Sequence, residues 1–204
     1  MNKSGIEWLY NGDEKGLTVN PVIGCSRISP GCGGGYIRGP NGESGGCWAE
    51  TLVTTRMAKN PSLPMYKDLA NGDKWSGVVH LMPERLKDII ALGSPRRKLP
   101  PSRVFVCDLS DLFHEKVPFE YIAAVFGAIA CAPKHLFYVL TKRVERALEW
   151  AEWLRTHDDP GTLAEICREL AIDAGTEHGF ATHTTTVFQF PIWRYPIIGW
   201  RGKR

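Results

Sequence analysis

Cys25, Cys32 and Cys47 share one glycine-rich stretch, GCSRISPGCGGGYIRGPNGESGGCWAE, and thiols placed this way are hard to explain by packing. Cysteines that fill cores lie in apolar strands or helices, whereas the neighbours here are Gly, Pro, Ser and Asn, the residues of loops. Ordering so many glycines costs backbone entropy. A metal held by converging thiolates supplies folding free energy directly and would offset that cost. The segment therefore reads as a metal or cluster loop, against the plainer alternative of a loop with unrelated thiols. Six residues separate the first two cysteines and fourteen the last two. Zinc sites usually use CxxC pairs or paired Cys and His; that pattern is missing, although His80 or His114 could complete a zinc site. Three thiolates also suit a four-iron cluster that leaves one iron open for a small molecule. On chemistry alone the cluster stands only slightly ahead of zinc.

A second set of residues follows two expected strands, at the carboxyl ends where α/β folds gather their ligands. Cys107, Asp108, Ser110, Asp111 and His114 follow one strand; Thr141, Lys142 and Arg143 follow the next. Lys142 or Arg143 can pair with a carboxylate or phosphate, or form the solvated first turn of a helix. Asp111 has a plain alternative as a cap, and His114 as a hydrogen-bonded turn residue. Glu50, in CWAE, either contacts the cysteine loop or favours its own helix N-terminus. His80 reads as a core or rim histidine. Trp8, Tyr36 and Trp48 could shield a centre from water and oxygen, but aromatics near any loop do similar packing work. GCGGGYIRG superficially resembles a phosphate cradle, yet the strand–GxGxxG–helix context is missing.

These residues must be positioned by a chain of 204 residues, enough for one domain with a sizeable core. A net charge of +3 is too small to argue for nucleic acid by itself. MNKSGIEWLY lacks the apolar run of a signal peptide and no stretch approaches a membrane span, so a soluble, cytoplasmic protein without membrane contact is expected. The six cysteines do not read as a disulfide framework, because Cys107, Cys131 and Cys167 are scattered through regular, apolar segments as core thiols.

The pattern predicts strand–helix units over 19–60, 77–92, 103–132 and 135–155. VNPVIG enters the cysteine loop as a strand, and WAETLVTTRMAKN follows it as a helix ended by Asn60 and Pro61. GVVHL is a second strand before the helix MPERLKDIIAL. RVFVCD and HLFYVLT read as parallel strands buried on both faces, each followed by a helix, PFEYIAAVFGAIACAP and KRVERALEWAEWLR. Short connections favour one parallel sheet with right-handed crossovers. The expected fold is α/β, a partial or open (β/α) barrel-like parallel sheet, because a full eight-stranded barrel takes about 250 residues. Residues 1–155 form that core, with the cysteine loop at 25–47. Residues 156–204 form a divergent extension of the same domain, with a helix at TLAEICRELAI and an aromatic, basic, proline-rich end. Prolines there argue against a central strand.

The segments NPVIGCSRISPGC, CWAE, PERL, VFVCDLSDLFHEKVP and LTKRVER, in this order, resemble the signature blocks of a largely uncharacterised bacteriophage and prophage family. Its members look like radical S-adenosylmethionine (SAM) barrels, and the resemblance covers about Ile6 to Trp150. It implies that Cys25, Cys32 and Cys47 hold a [4Fe-4S] cluster whose fourth iron binds the amino and carboxylate groups of SAM. Electron transfer would then release a 5′-deoxyadenosyl radical, chemistry that belongs to the cofactor. In that setting Asp111 would accept hydrogen bonds from SAM, His114 would be a proton donor or polar contact, and Ser110 and Lys142 would line the cofactor site. Two departures stand out. The insertion GGGYIRGPNGESGG separates cysteines that the family keeps close, and the family's later blocks are not evident beyond Trp150. The expectation is a phage-type enzyme in the host cytoplasm acting on an unknown substrate, with nucleic acid among the candidates. The alternatives are a zinc-binding module that contacts nucleic acid or protein, and a truncated, inactive remnant.

Overall fold

Two short apolar runs, RVFV and LFYVLT, form the middle of a mixed α/β structure. The structure is a computed structural model and describes residues 1–29, 32, 37–38, 44–156 and 197–199. Its strands are β1 (Asn2–Lys3), β2 (Leu17–Val19), β3 (Val22–Ile23), β4 (Ile37–Arg38), β5 (Ser44–Gly45), β6 (Ala70–Asn71), β7 (Lys74–Trp75), β8 (His80–Leu81), β9 (Arg103–Val106), β10 (Leu136–Thr141) and β11 (Ile197–Gly199). Its helices are α1 (Trp48–Leu52), α2 (Leu86–Leu92), α3 (Phe119–Ala130) and α4 (Val144–Thr156). The main sheet runs β1-β2-β9-β10-β11. Only β1 is antiparallel; Val19, Val106, Val139 and Ile197 align across the four parallel strands. The sheet is open: its order starts at β1 and stops at β11 without closing into a barrel. The expected open parallel sheet is present in this smaller, partly parallel form. Part of the C-terminal extension joins it as an edge strand, while the helix expected at 162–172 lies outside the described residues.

Burial alternates along the strands, which corrects the expectation of burial on both faces. Val104, Val106, Phe137 and Val139 are buried with α2, α3 and α4 in the main core. Phe105 and Tyr138 point to the opposite face and are half-buried, covered there by the Trp8 ring at 5.1 and 5.4 Å. Trp8 therefore does its packing on the sheet face. Helix α3 starts after Pro118, whose fixed φ suits a helix entry, and it is buried through most of its length. Helix α4 is amphipathic, with Ala147, Trp150 and Leu154 facing inward at spacings of three and four. Trp150 stacks on Phe126 at 4.8 Å and meets Phe113 edge-on.

Two expected strands are reorganised. VNPVIG is not continuous: β2 ends at Val19, and after Asn20 and Pro21 β3 joins a different sheet. Pro21 has no amide to donate to a ladder, but its carbonyl accepts from the Tyr121 hydroxyl and from the Met82 amide, each at 2.8 Å. GVVHL contributes only His80–Leu81, which pairs antiparallel with β3 and stays outside the main sheet. The unit expected over 77–92 is thus a two-residue strand paired long-range with β3, followed by a helix. Around it a second, smaller core forms from Ile23, Val53, Leu69 and Leu109. Ala49 and Leu52, just after Cys47, pack against that core.

Candidate functional site

The two loops that follow β3 and β9 are sewn together before any chemistry is placed. The Ser110 hydroxyl donates to Val22 O at 2.7 Å, and the Gly24 amide donates to Leu109 O at 3.2 Å. Gly24 has φ +88°, and a Cβ there would lie 2.3 Å from Val78 O, so only glycine fits. Cys107 turns the chain at the end of β9 with φ +63°, an uncommon value for a residue with a side chain. It is buried, and burial pushes its thiol up to about 12. Cys107 is an inert core thiol, as expected. So is Cys131, half-buried, its pKa raised by burial; Cys167 lies outside the described residues.

Cys25 comes next after Gly24, and Arg143 meets it from the end of β10. All five N–H groups of Arg143 are engaged. Nε donates to Glu115 at 3.2 Å; Nη1 donates to Asp111 at 3.1 Å and to Cys25 Sγ at 3.7 Å; Nη2 donates to Ser26 O at 3.0 Å and Ser26 Oγ at 2.9 Å. Arg143 is only 6% exposed, which corrects the solvated helix turn expected for it. Both Asp111 oxygens are occupied, Oδ1 by the Phe113 amide and Thr141 hydroxyl, Oδ2 by the Lys142 amide and Arg143. Asp111 therefore acts here by orienting Arg143 and the start of α4.

His114 is fully buried. Its Nδ1 accepts from the Lys116 amide at 3.1 Å, so the neutral ring carries its proton on Nε2 and donates it to Ser26 Oγ at 2.8 Å. Burial, with the Arg143 charge beside it, pushes the His114 pKa down to about 4. Ser26 Oγ also accepts from Arg143 and donates to Glu115, which uses its whole hydrogen-bonding capacity. His80, the other candidate fourth zinc ligand, is half-exposed and bonded to Asp68 at 2.9 Å.

The far end of the cysteine segment is built differently. Cys47 precedes α1, and its Sγ accepts from the Glu50 amide at 3.4 Å. The Glu50 carboxylate is 1% exposed. It accepts from Arg27 Nε at 2.9 and 3.1 Å, from Arg27 Nη2 at 2.6 Å and from the Trp75 amide at 2.9 Å. Trp48 is 43% exposed at the start of α1; Tyr36 lies outside the described residues.

Of the three thiols, Cys25 has a hydrogen-bonded cationic partner, Arg143. Burial pushes the Cys25 thiol up to about 11 against the opposing pull of Arg143. Cys32 is lowered: burial would raise it, but backbone groups of Ile28 and Ser29, the Ser29 hydroxyl and Lys142 together outweigh that. Among the described residues, no three His, Cys, Asp or Glu side chains are already placed to hold one metal ion. Three free thiols on one segment are nonetheless the donor chemistry of a thiolate-held centre, and Cys25 has a guanidinium beside it. A separate polar hollow of about 140 Å³ is lined by Asn20, Tyr66, Arg85 and Asp108 among others.

Residues 3–184 match a protein family described as of unknown function, DUF5131. The chain belongs to DUF5131. The match spans all three cysteines of the segment as well as Glu50, Asp111, His114 and Arg143. The chain matches no curated protein and no solved structure. In this DUF5131 chain, sequence reasoning missed Ser26, Arg27 and Glu115. The available signal was polar and charged residues directly after Cys25 and His114. No helix among the described residues is long and apolar enough to cross a membrane.

Proposed function

We propose that the protein is a phage-type radical-SAM enzyme in which Cys25, Cys32 and Cys47 hold a [4Fe-4S] cluster. One observation carries the reading: Arg143, locked by Asp111 and Glu115, directs an N–H to Cys25 Sγ at the carboxyl ends of the parallel strands. When bound, such a cluster supplies an electron for reductive cleavage of the SAM sulfonium bond. The protein's own residues do the positioning. Arg143 holds the Cys25 end and places positive charge beside the sulfur, where a hydrogen bond tunes a cluster's potential. Ser110 fixes the β3 and β9 loops against each other, and the Lys142 charge is among the causes that lower the Cys32 pKa. His114, held neutral in the folded protein because burial lowers its pKa to about 4, orients Ser26 through its Nε2 proton.

The test is anaerobic reconstitution with iron and sulfide, followed by electron paramagnetic resonance of the reduced protein with and without SAM. The expected result is a four-iron signal that changes on adding SAM, lost in Cys32→Ala and retained in Cys131→Ala. Stoichiometric zinc with no reconstitutable cluster would overturn the reading and favour a zinc-binding module. Equal loss from both cysteine variants would overturn the ligand assignment.

A further inference from the structure

Glu50 belongs to neither end of the cysteine segment alone. Its backbone amide donates to Cys47 Sγ at 3.4 Å, while its carboxylate grips Arg27, two residues past Cys25 and 23 positions away in the chain. A carboxylate placed simply to favour its own helix would face the free amides of α1. This one is taken up instead by the Arg27 fork and by the Trp75 amide on β7. Burying a carboxylate is costly unless its lone pairs are filled. Here they are filled by donors from two other segments, Arg27 close after Cys25 and Trp75 on β7. The two ends are otherwise secured separately, Cys25 through Arg143 and Cys47 through α1. Among the described residues, the Arg27–Glu50 pair is the side-chain ion pair that joins them.

We infer that Glu50 is a positioning residue that closes the cysteine segment through Arg27 and sets the approach of Cys47 to Cys25. The inference rests on the reading of these cysteines as ligands. A loop closed beforehand spares a bound metal the closure entropy that it would otherwise have to offset. The charge and the fork of the pair both matter, because a bidentate guanidinium–carboxylate contact fixes orientation as well as distance.

The experiment titrates the metal-free, full-length protein with cobalt(II) under anaerobic conditions and reads the thiolate-to-cobalt charge-transfer band, whose intensity scales with the number of thiolates bound. The wild type should give the band expected for three thiolates. Glu50→Gln should lose about a third of that intensity, matching Cys47→Ala, with cobalt bound roughly 10–100-fold more weakly. Arg27→Lys, which keeps the charge but loses the fork, should retain more of the band than Glu50→Gln. A structural role alone would lower the melting temperature yet leave the band of the folded protein unchanged, and that result would overturn the clamp while sparing the ligand assignment. Should Glu50→Gln fail to fold, Arg27→Gln removes the same pair from its exposed end, and an unchanged band there overturns the clamp equally. A wild type without any thiolate band would overturn the ligand reading and the clamp with it.

Discussion

The sheet half and the cysteine half of this molecule are held together by different forces. In the first, β9, β10, α3 and α4 bury a continuous apolar core that includes Val106, Ile122, Phe137 and Trp150. In the second, the compact apolar cluster around Ile23, Val53, Leu69 and Leu109 is small, and the loops above it are tied by Arg143 and Glu50. Apolar burial is non-directional and tolerates small shifts. Buried ion pairs and hydrogen bonds are directional, and they fix where a given sulfur lies. The half built on apolar packing thus carries a half whose geometry is set by charge.

Substitutions should separate the two. Trp150→Ala carries the largest expected cost, about 3–5 kcal/mol for emptying a buried aromatic site, read by urea denaturation. The Cys25 end should keep its contacts in the molecules that remain folded, so iron bound per folded molecule should stay constant. Arg143→Met should cost about 3 kcal/mol, because Asp111 would stay buried without its cation. Unlike Trp150→Ala, it should also lower the iron bound per folded molecule. Comparable iron retention in both variants would break the proposed division of labour. Gly24→Ala should cost roughly 1–3 kcal/mol through backbone strain, with added displacement of the 76–78 turn visible as faster amide exchange.

A gentler test uses pH. Because the folded state holds His114 well below the ordinary 6.5, the unfolded chain takes up the proton first. The stability from this residue is therefore complete above about pH 6.5 and is lost as pH falls toward 4. Denaturation midpoints measured across that interval should decline on the acid side, and His114→Gln should flatten the decline. An equally steep decline in that variant would assign the effect to other groups.

Much of the sheet half was legible in the sequence, for reasons visible in its residues. RVFV, LFYVLT and the helices after them are local patterns, and Pro118 and Pro133 mark the bounds of α3. The alternation of burial was not legible, since Phe105 and Tyr138 look as apolar as their neighbours and only Trp8 shows how their face is covered. In the cysteine half, the thiols announced themselves by composition, but their supports did not. Arg143 meets Ser26 across 117 positions and Asp111 across 32, distances that no local pattern encodes. The same holds for His80–Leu81, whose pairing with β3 depends on a bend at Asn20–Pro21 that reads simply as a proline in a strand.

That bend also bears on which changes this lineage can tolerate. Tyr121 and Met82 both attach to the carbonyl of Pro21, a group that every amino acid possesses. Replacing the proline side chain would leave the oxygen where it is, so drift by substitution can pass through this position without detaching one half from the other. Adding or removing a single residue between Val19 and Val22 cannot, because the oxygen would then point elsewhere. Variation in chain length should therefore collect in other connections, and the spacing of this one should stay fixed.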